Sequence, residues 1–190
     1  MGTVRTFIAF DTPDPVKEAM SNLQTELKRS QADVRWESSQ KFHATIKFLG
    51  DVQENKLLEV LEQIRATVSL HQSFEVVYQS LGIFPDKRHP KVVWIGCSNY
   101  NGELMKLKNA LDIVLKPYGF PIEVRTFHPH ITLGRVKSEC DINDLLSMLE
   151  NLTFEPRSAR IDRIVTLKST LTPHGSEYTV LASAPLFITI

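Results

Sequence analysis

The first half of the chain alternates between strand-like and helix-like hydrophobic patterns. Val4–Phe10 is a short apolar run, and Asp14–Arg29 then repeats apolar residues at helical spacing behind a proline. Phe42–Leu49 alternates with a period of two, Glu54–Val68 returns to helical spacing, and Phe74–Phe84 is strand-like before a proline-bounded turn. The pattern predicts a strand-helix-strand-helix-strand unit.

The second half of the chain repeats this order. Its predicted strands are Val92–Gly96, Pro129–Val136, Ala159–Leu171 and Tyr178–Ala182, and its predicted helices are Gly102–Lys116 and Ile142–Leu149. A shift of 87 positions superimposes Phe7 on Trp94 and His43 on His130. The repeat predicts a single domain over residues 1–190, built from two units of approximately 1–87 and 88–190.

Two similar units with short, alternating strands favour an α+β fold. We expect two pseudo-symmetric lobes with mainly antiparallel sheets, flanked by helices and facing each other across a central cleft. The alternative is a single parallel α/β sheet, whose buried strands are typically continuous runs of Val, Ile and Leu. The alternation of the strands argues for the first arrangement.

Composition limits the classes of function. Of the 190 residues, 42% are hydrophobic, and Lys plus Arg and Asp plus Glu both number 22. This balance provides no broad positive field for long nucleic acid, so any phosphate must be bound by local contacts. Cys97 and Cys140 fit no metal-binding spacing and are typical of free thiols in a reducing compartment. With no apolar run of membrane-spanning length, we expect a cytoplasmic, monomeric protein without a membrane partner.

Two short motifs are the candidate chemistry. His43 and Thr45 lie two residues apart in one predicted strand, and His130 and Thr132 do so in another. A period of two puts both side chains of each pair on one face of the sheet, and the residues between them, with Phe48, on the opposite face. Each pair is therefore free to face the cleft.

The motif alone has little specificity, because His71 and His174 also precede Ser or Thr by two positions. Only His43 and His130 superimpose on each other at the 87-residue shift. The alternative is that both are ordinary polar residues at sheet edges with satisfied hydrogen bonds. The matched pair favours a functional role.

A histidine in each unit suits the hydrolysis of a phosphoester. In-line displacement at phosphorus needs one group to take a proton from water and another to protonate the leaving oxygen on the opposite side. Neutral and protonated imidazole coexist near neutral pH, so histidine serves both roles without a metal. Thr45 and Thr132 could donate hydrogen bonds to the non-bridging phosphate oxygens.

Four segments add a family resemblance: RTFIAF (5–10), HATIKFLG (43–50), VVWIG (92–96) and FHPHITLGR (127–135). They resemble segments of the RNA 2',3'-cyclic phosphodiesterase family, formerly called 2'-5' RNA ligases, which belongs to the two-histidine phosphoesterases. The resemblance spans nearly the whole chain. It implies a bilobal fold, no metal or other cofactor, and hydrolysis of a terminal 2',3'-cyclic phosphate on RNA, or of a cyclic nucleotide, to a 2'-phosphate.

The resemblance also implies the roles of the two histidines. His43 would be the proton donor toward O3' and His130 the proton acceptor from water, with 2'-5' RNA ligation as a minor reverse activity. The residues alone leave this direction open, because the two units are nearly equivalent and the reverse reaction exchanges the roles.

Further residues are candidates for phosphate or substrate binding. Arg135 resembles the family's phosphate-contacting arginine, although strict alternation puts it on the face opposite His130 unless a bulge at Gly134 re-aims it. Arg5 and Lys47 are weaker phosphate candidates.

Aromatic side chains could stack on a base of the RNA. Phe48 and Trp36 are the candidates for substrate binding, with Phe84 a further one, whereas Trp94 is expected in the core.

Two alternatives remain open. His128 and His130 lie two apart and could share a metal, but Pro129 disturbs strand pairing and no carboxylate cluster accompanies them. A protein of the same fold could instead bind nucleotides or RNA ends without turning them over. The two intact histidines favour the enzyme.

Overall fold

The computed structural model of the protein describes residues 2–173 and 175–188. In this part of the chain the strands are β1 (Thr3–Asp11), β2 (Val34–Trp36), β3 (His43–Gln53), β4 (Phe74–Phe84), β5 (Val92–Ser98), β6 (His130–Val136), β7 (Arg157–Ile161), β8 (Arg163–Thr172) and β9 (Gly175–Pro185). The helices are α1 (Asp14–Leu27), α2 (Glu54–Val68), α3 (Glu103–Leu115) and α4 (Ile142–Asn151).

The strands form one sheet in the order β7-β4-β5-β6-β3-β1-β8-β9, and β2 pairs with β6 beside this path. Every pairing between these strands is antiparallel. The predicted α+β class is therefore confirmed, and the alternative of a parallel sheet is wrong.

The sheet joins the two sequence units in two ways. At its centre, β3 and β6 meet through one residue pair, Ala44 and Ile131, which are separated by the 87 positions of the repeat. On either side, a later strand of each unit pairs with the first strand of the other: β4 pairs with β5, and β8 pairs with β1. Strand exchange of this kind ties the halves of the chain to each other.

The helices cover one face of the sheet. Alternate residues of β1 show the division: Ile8 and Phe10 belong to the large core cluster shared with the helices, whereas Phe7 and Ala9 pack with Leu167 in a smaller cluster. Helix α1 buries apolar residues at helical spacing, as do α2 and α3. Within the described residues, the smaller cluster on the other face contains no residue of a helix.

Two parts of the predicted element pattern need correction. The predicted strand Ala159–Leu171 is two strands, β7 and β8, with Asp162 between them, and the two lie in different parts of the sheet. The three-residue strand β2 was not predicted, because it is too short to show any periodicity. No helix in the described residues is long and apolar enough to span a membrane.

Candidate active site

A cleft of about 420 Å³ lies on the face of the sheet opposite the helices. His43 and Thr45 of β3 and His130 and Thr132 of β6 all line it. These four side chains are half-buried, and the residues between them, Ala44 and Ile131, are buried in the core on the other face. The two matched motifs thus meet in one cavity.

The backbone fixes the orientation of the His130 ring. Nδ1 of His130 lies 2.7 Å from the carbonyl oxygen of His128. A carbonyl oxygen only accepts hydrogen bonds, so Nδ1 carries the proton and donates it. Nε2 of the neutral ring is then left with the free lone pair, as a proton acceptor requires.

His43 is held in an equivalent way. It has a hydrogen bond with the backbone of Lys41, two residues earlier, as His130 has with His128. Its ring also packs against Phe7, with ring centroids 5.0 Å apart, and edge-on against Tyr178 at 4.9 Å. The ring is therefore enclosed by aromatic carbon as well as oriented by the backbone.

Aromatic residues enclose His130 too, and this corrects one expectation. Phe84 lies edge-on to His130 at 5.0 Å and Trp94 lies 6.3 Å from it, with the Phe84 and Trp94 rings stacked on each other. Trp94 was expected in the core but is half-buried on the face opposite the helices, because core residues Val93 and Ile95 flank it in β5. The repeat carried this signal, since it superimposes Phe7 on Trp94 and each lies beside a histidine.

Burial governs the protonation of both histidines. It lowers the pKa of His43 from its ordinary value of 6.5 to about 4, and a nearby Asp11 carboxylate and the Lys41 backbone only partly oppose it. Burial also lowers the pKa of His130, against the hydrogen bond to the backbone of His128. The positive charge of Arg135 lowers both pKa values further. Both shifts favour the neutral ring at pH 7, and an anion bound beside the rings would favour the return of one proton.

Bulges in β3 change the faces that its side chains occupy. The pairing of β1 with β3 shifts register twice, between Thr6 and Phe7 and between Ile8 and Ala9. Phe48 was therefore assigned to the wrong face: it lines the cleft and is 65% exposed. Its position agrees with its choice as a substrate-binding candidate.

Lys47 is the opposite case. It was a phosphate candidate, but its side chain is 1% exposed in the core and its Nζ lies 2.5 Å from Oδ1 of Asp112. The same Nζ donates to the carbonyl oxygen of Pro121 at 2.8 Å. Lys47 cannot reach the cleft, so its role as a phosphate ligand is excluded.

Arg135 reaches the cleft through a bulge in β6. The pairing of β5 with β6 shifts between Val93 and Trp94, which leaves Leu133 as the extra residue. Arg135 then lies on the cleft side, 46% exposed, with Nε 3.5 Å from Oε1 of Glu37. The expected bulge exists, one residue before the expected position at Gly134.

Gly134 lets strand β2 approach β6 closely, and this approach determines where Trp36 packs. A Cβ on Gly134 would lie 2.6 Å from Val34 and 2.9 Å from Trp36, so glycine permits the close approach of β2 to β6. The Trp36 ring packs there against the core and does not line the cleft. The choice of Trp36 as a substrate-binding residue is therefore corrected.

Several cleft residues had no sequence signal of their own. Glu37, which lies near Lys41 as well as Arg135, and Tyr178 of β9 were not chosen. Glu37 follows the short strand β2, which showed no periodicity, and Tyr178 is distant from both motifs in the sequence, so that the pairings of β8 with β1 and β9 bring it to this side of the sheet. Arg5, one of the weaker phosphate candidates, does line the cleft.

The other histidines of the described residues do not line the cleft. His128 is exposed, His71 follows α2, and His89 lies in the exposed turn before β5. His174 lies outside the described residues. Within residues 2–173 and 175–188, no group of three or more His, Cys, Asp or Glu side chains is arranged to hold a metal ion.

Comparison with known sequences points to one family. The profile of the LigT-like phosphoesterases matches the chain twice, over residues 10–94 and 95–178. A Thermotoga maritima protein named RNA 2',3'-cyclic phosphodiesterase is 38% identical over 178 residues, covering 94% of this chain and 93% of its own length. One of the same name from Methanothermobacter thermautotrophicus is 34% identical over 177 residues, covering 93% and 95%.

Solved structures with the same fold agree with this. TT0787 of Thermus thermophilus superimposes with a TM-score of 0.80 at 23% identity, covering 96% of this chain and 97% of its own. Escherichia coli LigT complexed with 3'-AMP superimposes with a TM-score of 0.77 at 24% identity, covering 97% and 98%. With the repeated profile match and the full-length relatives, the chain belongs to the LigT-like phosphoesterase family.

Proposed function

We propose that this protein is an RNA 2',3'-cyclic phosphodiesterase that opens a terminal 2',3'-cyclic phosphate to a 2'-phosphate. The observation that carries the proposal is the meeting of His43 and His130, each with its threonine, in one cleft. The curated relatives of that name, similar over nearly the full chain, support the choice of substrate.

In the proposed reaction, His130 is the base and His43 the acid. Nε2 of His130 takes a proton from water as the water oxygen attacks phosphorus. The bond from phosphorus to O3' breaks, and the proton on His43 passes to O3'. The products are a 2'-phosphate and a free 3'-hydroxyl, and exchange with solvent returns His43 and His130 to their starting states.

Other cleft residues bind the phosphate and the adjacent nucleoside. Thr45 and Thr132 donate hydroxyl hydrogen bonds to the non-bridging oxygens as charge develops on them. Arg135 adds a guanidinium, which suits two-point binding of phosphate oxygens. Phe48 offers an exposed ring at the cleft on which a base stacks.

The direct test is turnover of a short RNA that ends in a 2',3'-cyclic phosphate, with excess chelator present. The expected result is hydrolysis that resists the chelator and yields the 2'-phosphate isomer, with slow 2'-5' ligation when product-like ends are supplied. Loss of activity in chelator would indicate a metal enzyme. Binding of the RNA without turnover would instead indicate a nucleotide-binding or RNA-end-binding protein on the same fold.

Replacement of Arg135 with alanine is expected to raise KM about tenfold or more, because a charged hydrogen bond to the phosphate is lost. Lysine at this position should restore part of the affinity, since it keeps the charge but not the two-point geometry. The matched control is Lys137→Ala, an exposed cation just beyond β6. Equal KM values for the Arg135→Ala and Lys137→Ala variants would show that Arg135 is not a phosphate ligand.

The value of kcat/KM is expected to fall about tenfold per pH unit between pH 7 and pH 9. The active histidine pair holds one proton, and the pKa values of both free-enzyme histidines lie below 6.5. Raising the pH therefore depletes the protonated form, and lowering it toward 6 restores activity. A rate profile that is flat or rises above pH 7 would contradict this proton count.

The same account covers organisation and location. We infer that residues 1–190 form one domain of two units, approximately 1–87 and 88–190. The two profile matches, over residues 10–94 and 95–178, and the pairing of β4 with β5 and of β8 with β1 support two units in one domain. Cys97 and Cys140 are free thiols, which suits a reducing cytoplasm, and one cleft in one chain suits a monomer.

A further inference from the structure

The two histidines occupy different positions in their strand ladders. In the pairing of β1 with β3, Asp11 lies directly opposite His43. Cross-strand partners project from the same face of a sheet, so this pairing brings the Asp11 side chain to the His43 end of the ladder. The Asp11 carboxylate does not line the cleft itself, but it lies close enough for its negative charge to raise the pKa of His43 against the effect of burial.

His130 has no such neighbour. In the pairing of β5 with β6, the residue opposite His130 is Gly96. The 87-residue shift superimposes Asp11 on Ser98, which lies two residues further along β5 and is uncharged. The pairing of β1 with β3 and the pairing of β5 with β6 therefore differ in register, and the repeat aligns Asp11 with an uncharged residue. The two histidines match each other, but only His43 has a carboxylate as its cross-strand partner.

The Asp11 carboxylate is held in place by two donors. The backbone N–H of Thr12 donates to Oδ1 at 2.9 Å, and Nζ of Lys17 in α1 lies 2.9 Å from the carboxylate. The lysine has no counterpart in the second unit that would hold a carboxylate near His130, because the shift superimposes Lys17 on Leu104. The carboxylate is an ordered part of the first unit.

Charged and titratable groups face His43 from four elements: Asp11 from β1, Lys17 from α1, Arg135 from β6 and Tyr178 from β9. The negative charge of Asp11 raises the pKa of His43, and the positive charges of Lys17 and Arg135 lower it. Asp11 is also the largest influence that counteracts the burial of His43.

We propose that Asp11 is a positioning residue that makes the two histidines unequal: its charge beside His43, with none opposite His130, raises the fraction of enzyme in which His43 carries the transferable proton. The inference rests on the proposed function, since it concerns the acid of that reaction. It gives the two near-identical motifs a difference in charge, and this difference acts against the burial that lowers the pKa of His43.

Removal of the charge slows protonation of the leaving oxygen. Asp11→Asn keeps the side-chain size but leaves Lys17 unbalanced beside His43, so protonated His43 becomes rarer. The expected loss is about three- to tenfold in kcat/KM above pH 7, a moderate effect because the carboxylate is partly exposed to water.

The test compares two substrates that differ only in the leaving atom. One is the RNA 2',3'-cyclic phosphate, and the other has sulfur in place of the bridging O3', which leaves as a thiolate without needing a proton because thiol pKa values are near 8.5. We expect Asp11→Asn to slow the oxygen substrate about three- to tenfold and the sulfur substrate hardly at all. The matched control is Asp14→Asn, which removes an equal charge from a fully exposed residue near the same Lys17.

Each outcome decides the inference. Equal slowing of both substrates by Asp11→Asn would mean a structural role for Asp11, and no slowing of either would mean that its charge is irrelevant to catalysis. Either result overturns the inference about Asp11. The proposed function still holds in both cases if the parent enzyme hydrolyses the RNA substrate. An equal loss in Asp14→Asn would assign the effect to general charge and also overturn it. If the parent protein hydrolyses neither substrate, the proposed function fails and the inference falls with it.

Discussion

Replacement of either His43 or His130 with alanine is expected to lower kcat for hydrolysis of the RNA 2',3'-cyclic phosphate about 10²- to 10⁴-fold. Each ring lines the same cleft and is oriented by a backbone hydrogen bond two residues earlier in the chain. Loss of the base leaves water unactivated, and loss of the acid leaves O3' to depart as an unprotonated alkoxide. The measurement is single-turnover hydrolysis with saturating enzyme, which separates chemistry from substrate binding.

His89→Ala is the matched control for this pair. His89 is an exposed histidine in the turn before β5, outside the cleft, so its replacement should leave kcat unchanged. The RNA should still bind to both cleft variants, because Thr45, Thr132 and Arg135 remain. A variant at His43 or His130 that keeps more than about a tenth of the parent kcat would remove that histidine from the chemical step.

Replacement of Asp112 with alanine is expected to lower the free energy of unfolding by about 3–5 kcal/mol. The Asp112 side chain is 2% exposed and lies 2.5 Å from Nζ of Lys47 and 2.6 Å from Nζ of Lys108, both also buried. Burial alone would raise the pKa of Asp112, but hydrogen bonds from Lys108 and Lys47 hold the pKa below its ordinary value. Without the carboxylate, two buried ammonium groups lose their counter-charge.

Urea denaturation measures this loss, with Glu103→Ala as the control on the same helix. Glu103 pairs with Lys106 at the surface of α3, where an ion pair contributes about 0–1 kcal/mol. Because Lys47 belongs to β3, the buried cluster also anchors the strand that carries His43 and Thr45. An Asp112→Ala loss no larger than that of Glu103→Ala would show that the two lysines lose their charge or reach water at little cost.

Local periodicity predicted the elements and the placement of the two motifs. The bounds expected for α2 and β4 agree with the structure, because long apolar repeats and a proline-bounded turn define them. The His43 and His130 motifs share a face with their threonines, since a period of two holds over such a short span. The strand partners could not be predicted, because the pairing of β4 with β5 and of β8 with β1 depends on non-local contacts.

Bulges account for two of the errors in the site, those at Phe48 and Lys47. A single extra residue reverses the face of every side chain beyond it, and nothing in the alternation of β3 or β6 reveals one. Phe48 was therefore expected on the core face and Lys47 near the cleft, and the structure shows the reverse. Arg135 lines the cleft because of the bulge in β6, as its proposed role requires. The expected position of Trp94 was wrong for another reason. A large aromatic residue in an apolar strand can pack either in the core or beside a half-buried histidine, and the sequence does not distinguish the two.

The most direct test of the account is the response of the two histidine variants to the substrate with sulfur at the bridging 3' position. Because a thiolate leaves without a proton, we predict that His43→Ala hydrolyses this substrate at close to the parent rate, whereas His130→Ala stays slow because water still needs a base. Rescue of His130→Ala instead would reverse the roles of acid and base, and rescue of neither variant would contradict acid–base catalysis by this pair.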